Sequence, residues 1–494
     1  MEDDHPFELL LDQKPHFERA LNRVNKYGFY ADNSVMGCGK TYVACAIAKK
    51  LGLKLFIVCP LTVHGNWEDV ASKADVEIVH ITTPQSLATK RNHQPKHGYL
   101  KRSEGKNAPS YYPTAKLNKL VAEGALFVFD EIQYARNINT YFLASKALVK
   151  SVGLFENQST PSKCVFVSTT PFDVDYKCAH FLILINLIKT VDIKTKKGIL
   201  RGPIAMELQE FYKQESLDIS KAPKTSKKIY SCFLEHLQPI FFTSMPLISD
   251  NKCDIRNGFY LMRKKKERQE AEKAVSELND IFIRIDPETL TIPLVILKRI
   301  KLACTKIEKA KIPLFIRLIE EELKEKNRKV VVCVHFMYTI NFLKECLSKY
   351  NPLILHGGIK KGRQKIIEKF QKFNTTHRLL ICNIRVGGVG ISLHDLHGSY
   401  PRTMLISPDH NVTDIFQATG RINRVGGKSD SKIRVVYANI SICERSILNS
   451  IARKMKTIKE TLDDQVKDVL KLPLDFEDYI EGEKKYFKKK SSPK

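Results

Sequence analysis

Two stretches of the chain share one pattern, in which short runs rich in Val, Ile and Phe alternate with segments of helical periodicity. In the first stretch the runs 54–60, 78–81, 126–129 and 164–167 read as buried strands. In the second, 329–334, 353–355, 378–382, 403–406 and 432–437 read the same way. Strands that alternate with helices predict parallel sheets covered by helices on both faces. The fold expected is therefore α/β, built as two lobes: residues 1–180 and 311–460. Between them, 181–310 is richer in Lys and Glu and carries helical stretches near 263–280 and 294–309, so it reads as a helical insertion. Inside the first lobe, 89–119 reads as a long basic loop holding Lys90, Arg91, Lys96, Lys101, Arg102 and Lys106. Residues 461–494 read as a helical extension that ends in a basic, low-complexity, disordered tail.

At 494 residues the chain has material for two or three cores. Charge narrows the function classes further. The 81 Lys and Arg exceed the 54 Asp and Glu by 27, an excess that suits a polyanionic partner or an acidic membrane surface. The run Arg263 to Arg268 is one basic surface of this kind. The 12 cysteines include no Cys-x-x-Cys pair, and several, such as Cys59, Cys333 and Cys382, sit inside apolar runs. They read as small buried hydrophobes of a reducing compartment and not as zinc ligands. The longest apolar stretch, 179–188, is interrupted by Asn186 and is too short to span a bilayer. An intracellular, soluble protein with no membrane partner is expected.

Three groups of residues carry chemistry. Gly37-Cys38-Gly39-Lys40-Thr41 precedes an apolar helix and fits a phosphate loop. The glycines let backbone N–H groups close round phosphate, Lys40 reaches the β- and γ-phosphates of ATP, and the Thr41 hydroxyl suits Mg²⁺. The run 126–129 ends in Asp130-Glu131, a carboxylate pair at the carboxyl end of a parallel strand, where α/β sheets bind ligands. Asp130 is the second expected Mg²⁺ ligand, and Glu131 is expected to polarise the attacking water. In the other lobe, Gln417-Ala418-Thr419-Gly420-Arg421-Ile422-Asn423-Arg424 spaces two arginines for one helix face. A guanidinium reaching a transferring phosphoryl group accelerates the reaction by roughly 10³–10⁵.

With these residues in view, the chain resembles the chromatin-remodeller (Swi/Snf-type) branch of the superfamily-two helicases, above all the compact forms of large DNA viruses. The resemblance covers most of residues 8–440. Val58-Cys59-Pro60-Leu61, ending in Asn66-Trp67, resembles that branch's second motif, and Ile81-Thr82-Thr83-Pro84-Gln85-Ser86-Leu87 its strand-contacting motif. Asp130-Glu131-Ile132-Gln133 followed by Arg136-Asn137 resembles its acidic signature, with Gln133 where histidine is usual. Ser168-Thr169-Thr170-Pro171 resembles the motif that couples the ATP and DNA sites. Gly357 to Phe370 with Arg363, then Arg385 to Leu393 with Gly387-Gly388-Val389-Gly390, resemble second-lobe motifs, and Gln417 to Arg424 completes the set. The spacing from Ala31-Asp32 to Gly37 is longer than is usual in the branch, and no chromatin-reader segment is recognisable.

The resemblance implies two RecA-like lobes and an ATP-hydrolysing enzyme that moves along double-stranded DNA, with RNA helicase or a decayed, non-catalytic scaffold as alternatives. It implies catalytic roles for Lys40, Glu131, Gln417, Arg421 and Arg424, and adenine reading by Gln13. It also implies nucleic-acid contacts from the segments of Asn66, Thr82, Arg136, Thr170 and Gly387. Transcription or replication machinery is the implied partner, and host cytoplasm, nucleus or virion the implied site of action for a viral protein.

Overall fold

A computed structural model describes residues 7–461 apart from 106–107, 136, 156–159, 176, 189–205, 223–228, 246–250, 284–293, 360–361, 374–375, 388–390, 425 and 440–443. The chain divides into two compact units, residues 1–247 with 457–469, and residues 248–456 with 470–494. Each is organised round one six-stranded parallel sheet.

The first sheet is built from β1 (Phe29–Asp32), β2 (Lys54–Val58), β3 (Ile78–Thr82), β6 (Ala125–Asp130), β7 (Lys163–Val167) and β8 (Phe242–Thr243), in the order β3-β2-β6-β7-β1-β8. Every neighbouring pair is parallel. The second is built from β9 (Cys253–Leu261), β10 (Lys329–Val334), β11 (Leu353–Leu355), β12 (Leu379–Asn383), β13 (Arg402–Ile406) and β14 (Ser431–Asn439), in the order β11-β12-β10-β13-β14-β9, again all parallel. All nine strands expected from the apolar runs are present. Central strands such as β10 are buried along their whole length, because helices cover both faces of a parallel sheet.

Three elements escape the apolar pattern for physical reasons. β1 is only four residues long and includes the charged Asp32. β8 is two residues long, and β9 mixes Asp254, Arg256 and Asn257 with its apolar positions. Both lie in the segment read as a helical insertion, yet each joins one of the sheets. That segment also supplies the helices Lys265–Ile283 and Leu294–Ala310. The basic stretch 89–119 is not a loop: β4 (Leu100–Ser103) and β5 (Ser110–Pro113) form an antiparallel hairpin. Alternation of buried and exposed positions, Leu100 and Arg102 in, Lys101 and Ser103 out, is too short a signal to stand out in so polar a segment.

The core of the first unit is rich in aromatic side chains. Phe29, Phe166, Phe181, Phe241 and Phe242 are at most 5% exposed and meet edge-on or tilted, as in the pairs Phe29–Phe166 and Phe181–Phe242. The apolar run 179–188 lies in this core, where it forms most of the helix Lys177–Leu184 and its exit. Among the described residues, no helix is long and apolar enough to cross a membrane.

Candidate nucleotide site and arginine turn

Strand order sets the geometry of the first site. In the sequence β6-β7-β1, the segments that leave the carboxyl ends of three adjacent strands are the acidic pair, Ser168-Thr169-Thr170 and the phosphate loop. Neighbouring strands lie about 4.8 Å apart, so side chains on the middle segment can reach both of the others.

The loop starts from a buried anchor. His16, on α1 (Gln13–Tyr27), lies 3.0 Å from the Asp32 carboxylate, and both side chains are fully buried. Burial alone would raise the Asp32 carboxyl, but the His16 imidazole and the Lys40 ammonium hold it below its usual range. Its other oxygen accepts the Ser34 N–H at 2.9 Å. Residues 33–35 then continue beside β8: Asn33 N–H donates to Thr243 O, Val35 N–H to Met245 O, and Met245 N–H to the Ser34 hydroxyl. This pairing accommodates the long spacing between Asp32 and Gly37.

Gly37 and Gly39 hold φ values of 82° and 93°, conformations that L side chains rarely adopt. A Cβ at Gly39 would also collide with the Gln13 amide. α2 (Lys40–Leu51) opens from Gly39 without a side-chain cap; Tyr42 and Val43 N–H donate to Gly39 O, while the amides of Lys40 and Thr41 have no acceptor within the helix. Lys40 Nζ donates to Ser34 O at 2.8 Å, Val35 O at 2.9 Å and the Thr169 hydroxyl at 3.0 Å. Gln13 is tied to the loop at both ends of its amide: Nε2 donates to Cys38 O at 2.9 Å and Oε1 accepts Leu10 N–H at 3.0 Å.

The acidic pair is held by partners that the sequence reading did not assign. The Trp67 indole N–H donates to Asp130 Oδ2 at 2.9 Å, and Asn66 Nδ2 donates to the Thr41 hydroxyl at 3.3 Å. Thus α3 (His64–Lys73) places Asn66, expected on nucleic acid, against one candidate Mg²⁺ ligand and its neighbour Trp67 against the other. Burial, then the adjacent Glu131 charge, push the Asp130 carboxyl up to about 7. Glu131 has φ 58°, a left-handed conformation that costs a non-glycine residue about 1 kcal/mol or more. Its carboxylate accepts from Gln133 Nε2. Gln133 Oε1 accepts the Ser168 hydroxyl at 2.5 Å, and Ser168 Oγ accepts Thr170 N–H at 3.1 Å. Gln133, where the branch that the chain resembles usually has histidine, therefore links the acidic pair to the middle segment through both ends of its amide.

Thr82 and Thr170 are 6% and 0% exposed, so neither hydroxyl is a surface group. Thr82 ends β3, and the next residue, Thr83, caps the short helix α4 (Pro84–Ala88) by accepting Ser86 N–H. Arg136 lies outside the described residues, as do Gly388 to Gly390. Gly387 closes the short helix Ile384–Gly387 after β12, in the second unit.

In the second unit the arginines depart from expectation. Helix Val412–Thr419, which carries the buried Gln417, stops before Gly420, and Arg421 and Arg424 occupy the turn that follows. They are not on a helix face. Arg421 is 3% exposed and its Nη1 donates to Ile391 O at 3.5 Å. Arg424 Nε donates to Gly420 O at 3.0 Å and Nη1 to the Ser392 hydroxyl at 2.7 Å. Burial lowers the Arg424 guanidinium to about 10. The segment 391–394, which takes one bond from each arginine, is also held by Arg402, through Leu393 O, and by Gln371, through Ser392 O and His394 O. Four polar side chains thus fix one short segment, a tertiary arrangement that residue spacing does not reveal. Arg363, in the motif before it, turns back on its own approach, where its Nε donates to Ile359 O at 2.6 Å.

The helicase conserved C-terminal domain family matches residues 310–426. A protein of Acanthamoeba polyphaga mimivirus, provisionally named an ATP-dependent RNA helicase, is 26% identical over 461 residues, covering 90% of this chain and 82% of its own. Chromodomain-helicase-DNA-binding protein 8 of Danio rerio is 23% identical over 85% of this chain, which spans only 18% of that longer protein. A SWI2/SNF2 ATPase core of Sulfolobus solfataricus in complex with dsDNA covers 94% of this chain and 97% of its own, at 18% identity and a TM-score of 0.32. Two parallel α/β units, a phosphate loop and an acidic strand end define a nucleotide-hydrolysing enzyme of the helicase class. The chain carries a helicase C-terminal domain and is similar along most of its length to proteins of the Swi/Snf-type and helicase class, which makes it an ATP-hydrolysing enzyme of that type.

Proposed function

We propose that this chain couples ATP hydrolysis to movement along nucleic acid, with double-stranded DNA as the track. The observation that carries the coupling is the hydrogen-bonded path from the phosphate loop and acidic pair into Ser168-Thr169-Thr170. Lys40 reaches Thr169, and Glu131 reaches Ser168 through Gln133. A change of charge or position at the phosphates would reach that segment through these bonds.

Within this reading the phosphates of ATP rest on the amides of residues 37–41 and on Lys40, which exchanges its loop carbonyls for them. The Thr41 hydroxyl and Asp130 carboxylate, hard oxygen donors already oriented by Asn66 and Trp67, would hold Mg²⁺, which supplies positive charge to the phosphate oxygens. Glu131 orients water, and Gln133 fixes the direction of its carboxylate. Arg421 and Arg424 stabilise charge in phosphoryl transfer after releasing residues 391 and 392, with Gln417 supporting that turn. Gln13 reads adenine only by giving up its bonds to Leu10 and Cys38. Nucleic acid is met by the segments around Asn66, Thr82, Arg136, Thr170 and Gly387. Buried Thr82 and Thr170 act there through backbone groups and neighbours such as Thr83. The mimivirus relative favours a role in viral transcription or replication, and its printed name favours a second reading, an RNA track.

ATP turnover measured with single-stranded DNA, duplex DNA and RNA tests both. Stimulation by duplex DNA above the other two is expected, greater stimulation by RNA would transfer the reading to RNA, and none by any of them would refute it.

A further inference from the structure

The β4–β5 hairpin is a compact polar element whose charge is left uncompensated. From residue 89 to 119 the chain carries eight Lys and Arg but one carboxylate, Glu104. Glu104 is already used, pairing with Arg102 at 2.8 Å. Arg102 is not a surface cation. It is 5% exposed, and its Nη1 donates to Ala88 O and Thr89 O at 3.3 and 3.0 Å. Tyr111, its cross-strand neighbour, donates its hydroxyl to Ala88 O at 2.6 Å. These bonds clamp the inner face of the hairpin to the end of α4, the helix that begins beside Thr82 and Thr83.

The edge of β4 away from β5 is closed by the preceding loop. The Gln94 amide accepts Arg102 N–H at 2.9 Å and donates to Arg102 O at 2.7 Å, as a neighbouring strand would. Asn92 N–H donates to Glu104 at 3.0 Å. The outer face is the opposite of the inner one: Lys101 pairs across the ladder with Tyr112, which is 54% exposed. Lys90, Arg91, Lys96 and Lys101 are exposed, and among the described residues none of them is in an ion pair. Lys116 is different, since it lies over the Tyr99 ring and donates to His97 O.

A rigid, clamped platform with four open cations and a flat exposed ring has the composition of a nucleic-acid surface: cations for the backbone, an aromatic face for a base. We propose that the outer face of the β4–β5 hairpin, with the loop 90–96 on its edge, binds nucleic acid. Lys90, Arg91, Lys96 and Lys101 hold phosphates, and Tyr112 stacks on an unpaired base. The proposal rests on the reading of the chain as a nucleic-acid motor and extends it to an element outside the family's motifs. An unpaired base on Tyr112 also implies that one strand is opened, at least locally, where it passes the hairpin.

The test uses the full chain and fluorescein-labelled oligonucleotides, single-stranded oligo-dT and a duplex, titrated across a salt series. In the combined variant Lys90→Gln, Arg91→Gln, Lys96→Gln and Lys101→Gln, affinity at low salt should fall about 100-fold. The log–log salt slope should flatten by about 2–4, at about 0.9 per duplex phosphate contact and 0.7 per single-strand contact. Tyr112→Ala should lose about tenfold in oligo-dT affinity and nothing on the duplex. Both variants should keep the wild-type melting temperature, because the altered side chains make no described internal bond. A four-fold variant with wild-type affinity and slope overturns the surface, and equal oligo-dT affinity in Tyr112→Ala overturns the stacking role. If wild type itself binds neither oligonucleotide, it is the parent reading that fails.

Discussion

The two units use the same sheet but treat the amides beyond a central strand in opposite ways. After β1 the chain enters a glycine loop, and α2 begins without a cap. After β10 the amides of His335 and Phe336, which open the helix Met337–Cys346, donate to the two carboxylate oxygens of Glu308 at 2.9 and 3.1 Å. Glu308 is 2% exposed. Its carboxylate sits at a helix entry where a phosphate is welcome, and being part of the chain it does not leave. The first unit is open to an external anion and the second has an internal one. On the proposed function, this difference assigns nucleotide phosphate to the first unit and leaves the second to contribute its arginines.

The sharpest way to break this comparison is to remove one cation from each unit. Lys40→Ala should abolish turnover and weaken ATP binding, whereas Arg424→Ala should keep ATP affinity and lose roughly 10³-fold or more in turnover. Fluorescent-nucleotide titration and steady-state turnover on the same proteins separate the two, and equal losses of affinity would erase the distinction. Next in size is Glu131→Gln, which should bind ATP normally yet turn it over about 10²–10⁴-fold more slowly. Wild-type turnover in that variant would remove Glu131 from its role.

Effects on stability come next. Glu308→Gln keeps the shape but loses the charge that caps two amides, so the second unit should lose about 2 kcal/mol in urea unfolding, with ATP affinity unchanged. A loss of ATP affinity would mean that this anion is not merely internal. His394 offers a pH test. Burial, then the charges of Arg424 and Arg402, hold its imidazole down to about 4, against 6.5 in the unfolded chain. The unfolded chain therefore takes up a proton that the folded chain refuses, and stability falls as pH drops from 6.5 toward 4. Between pH 7 and pH 5 this group should account for about 2 kcal/mol, a loss that His394→Asn should largely spare. The smallest expected effect is that of Trp67→Phe, a several-fold rise in the Mg²⁺ concentration needed for half-maximal turnover. Trp67 is the only tryptophan of the chain, so its emission should change when Mg²⁺ and ATP bind to wild type. No change in either measurement would leave the indole a packing residue.

Strand identity was legible because helices bury both faces of a parallel sheet. An apolar run of five or six residues, such as 329–334, has few other uses. The phosphate loop and acidic pair were legible for a related reason: Gly37, Gly39, Lys40, Asp130 and Glu131 are local, and their meaning lies in residue type and short spacing. Arg421 and Arg424 were legible as residues but not in their setting. Helix periodicity extends past Thr419 on paper, while the chain turns there so that one guanidinium reaches the Ile391 carbonyl and the other the Ser392 hydroxyl.

What sequence alone determined, then, is the set of short-range features: nine of the twelve strands of the two sheets, the glycine loop and the charges. Tertiary structure decided every pairing between distant residues. Gln133 could be seen as a departure from the family, but only the placement of β7 between β6 and β1 makes it the link from Glu131 to Ser168. Likewise Glu308, anonymous in a Lys-rich helix, becomes a cap because β10 ends beside it. Such contacts depend on which strands are neighbours, and that order is set by the packing of the whole sheet and not by any single segment's propensity.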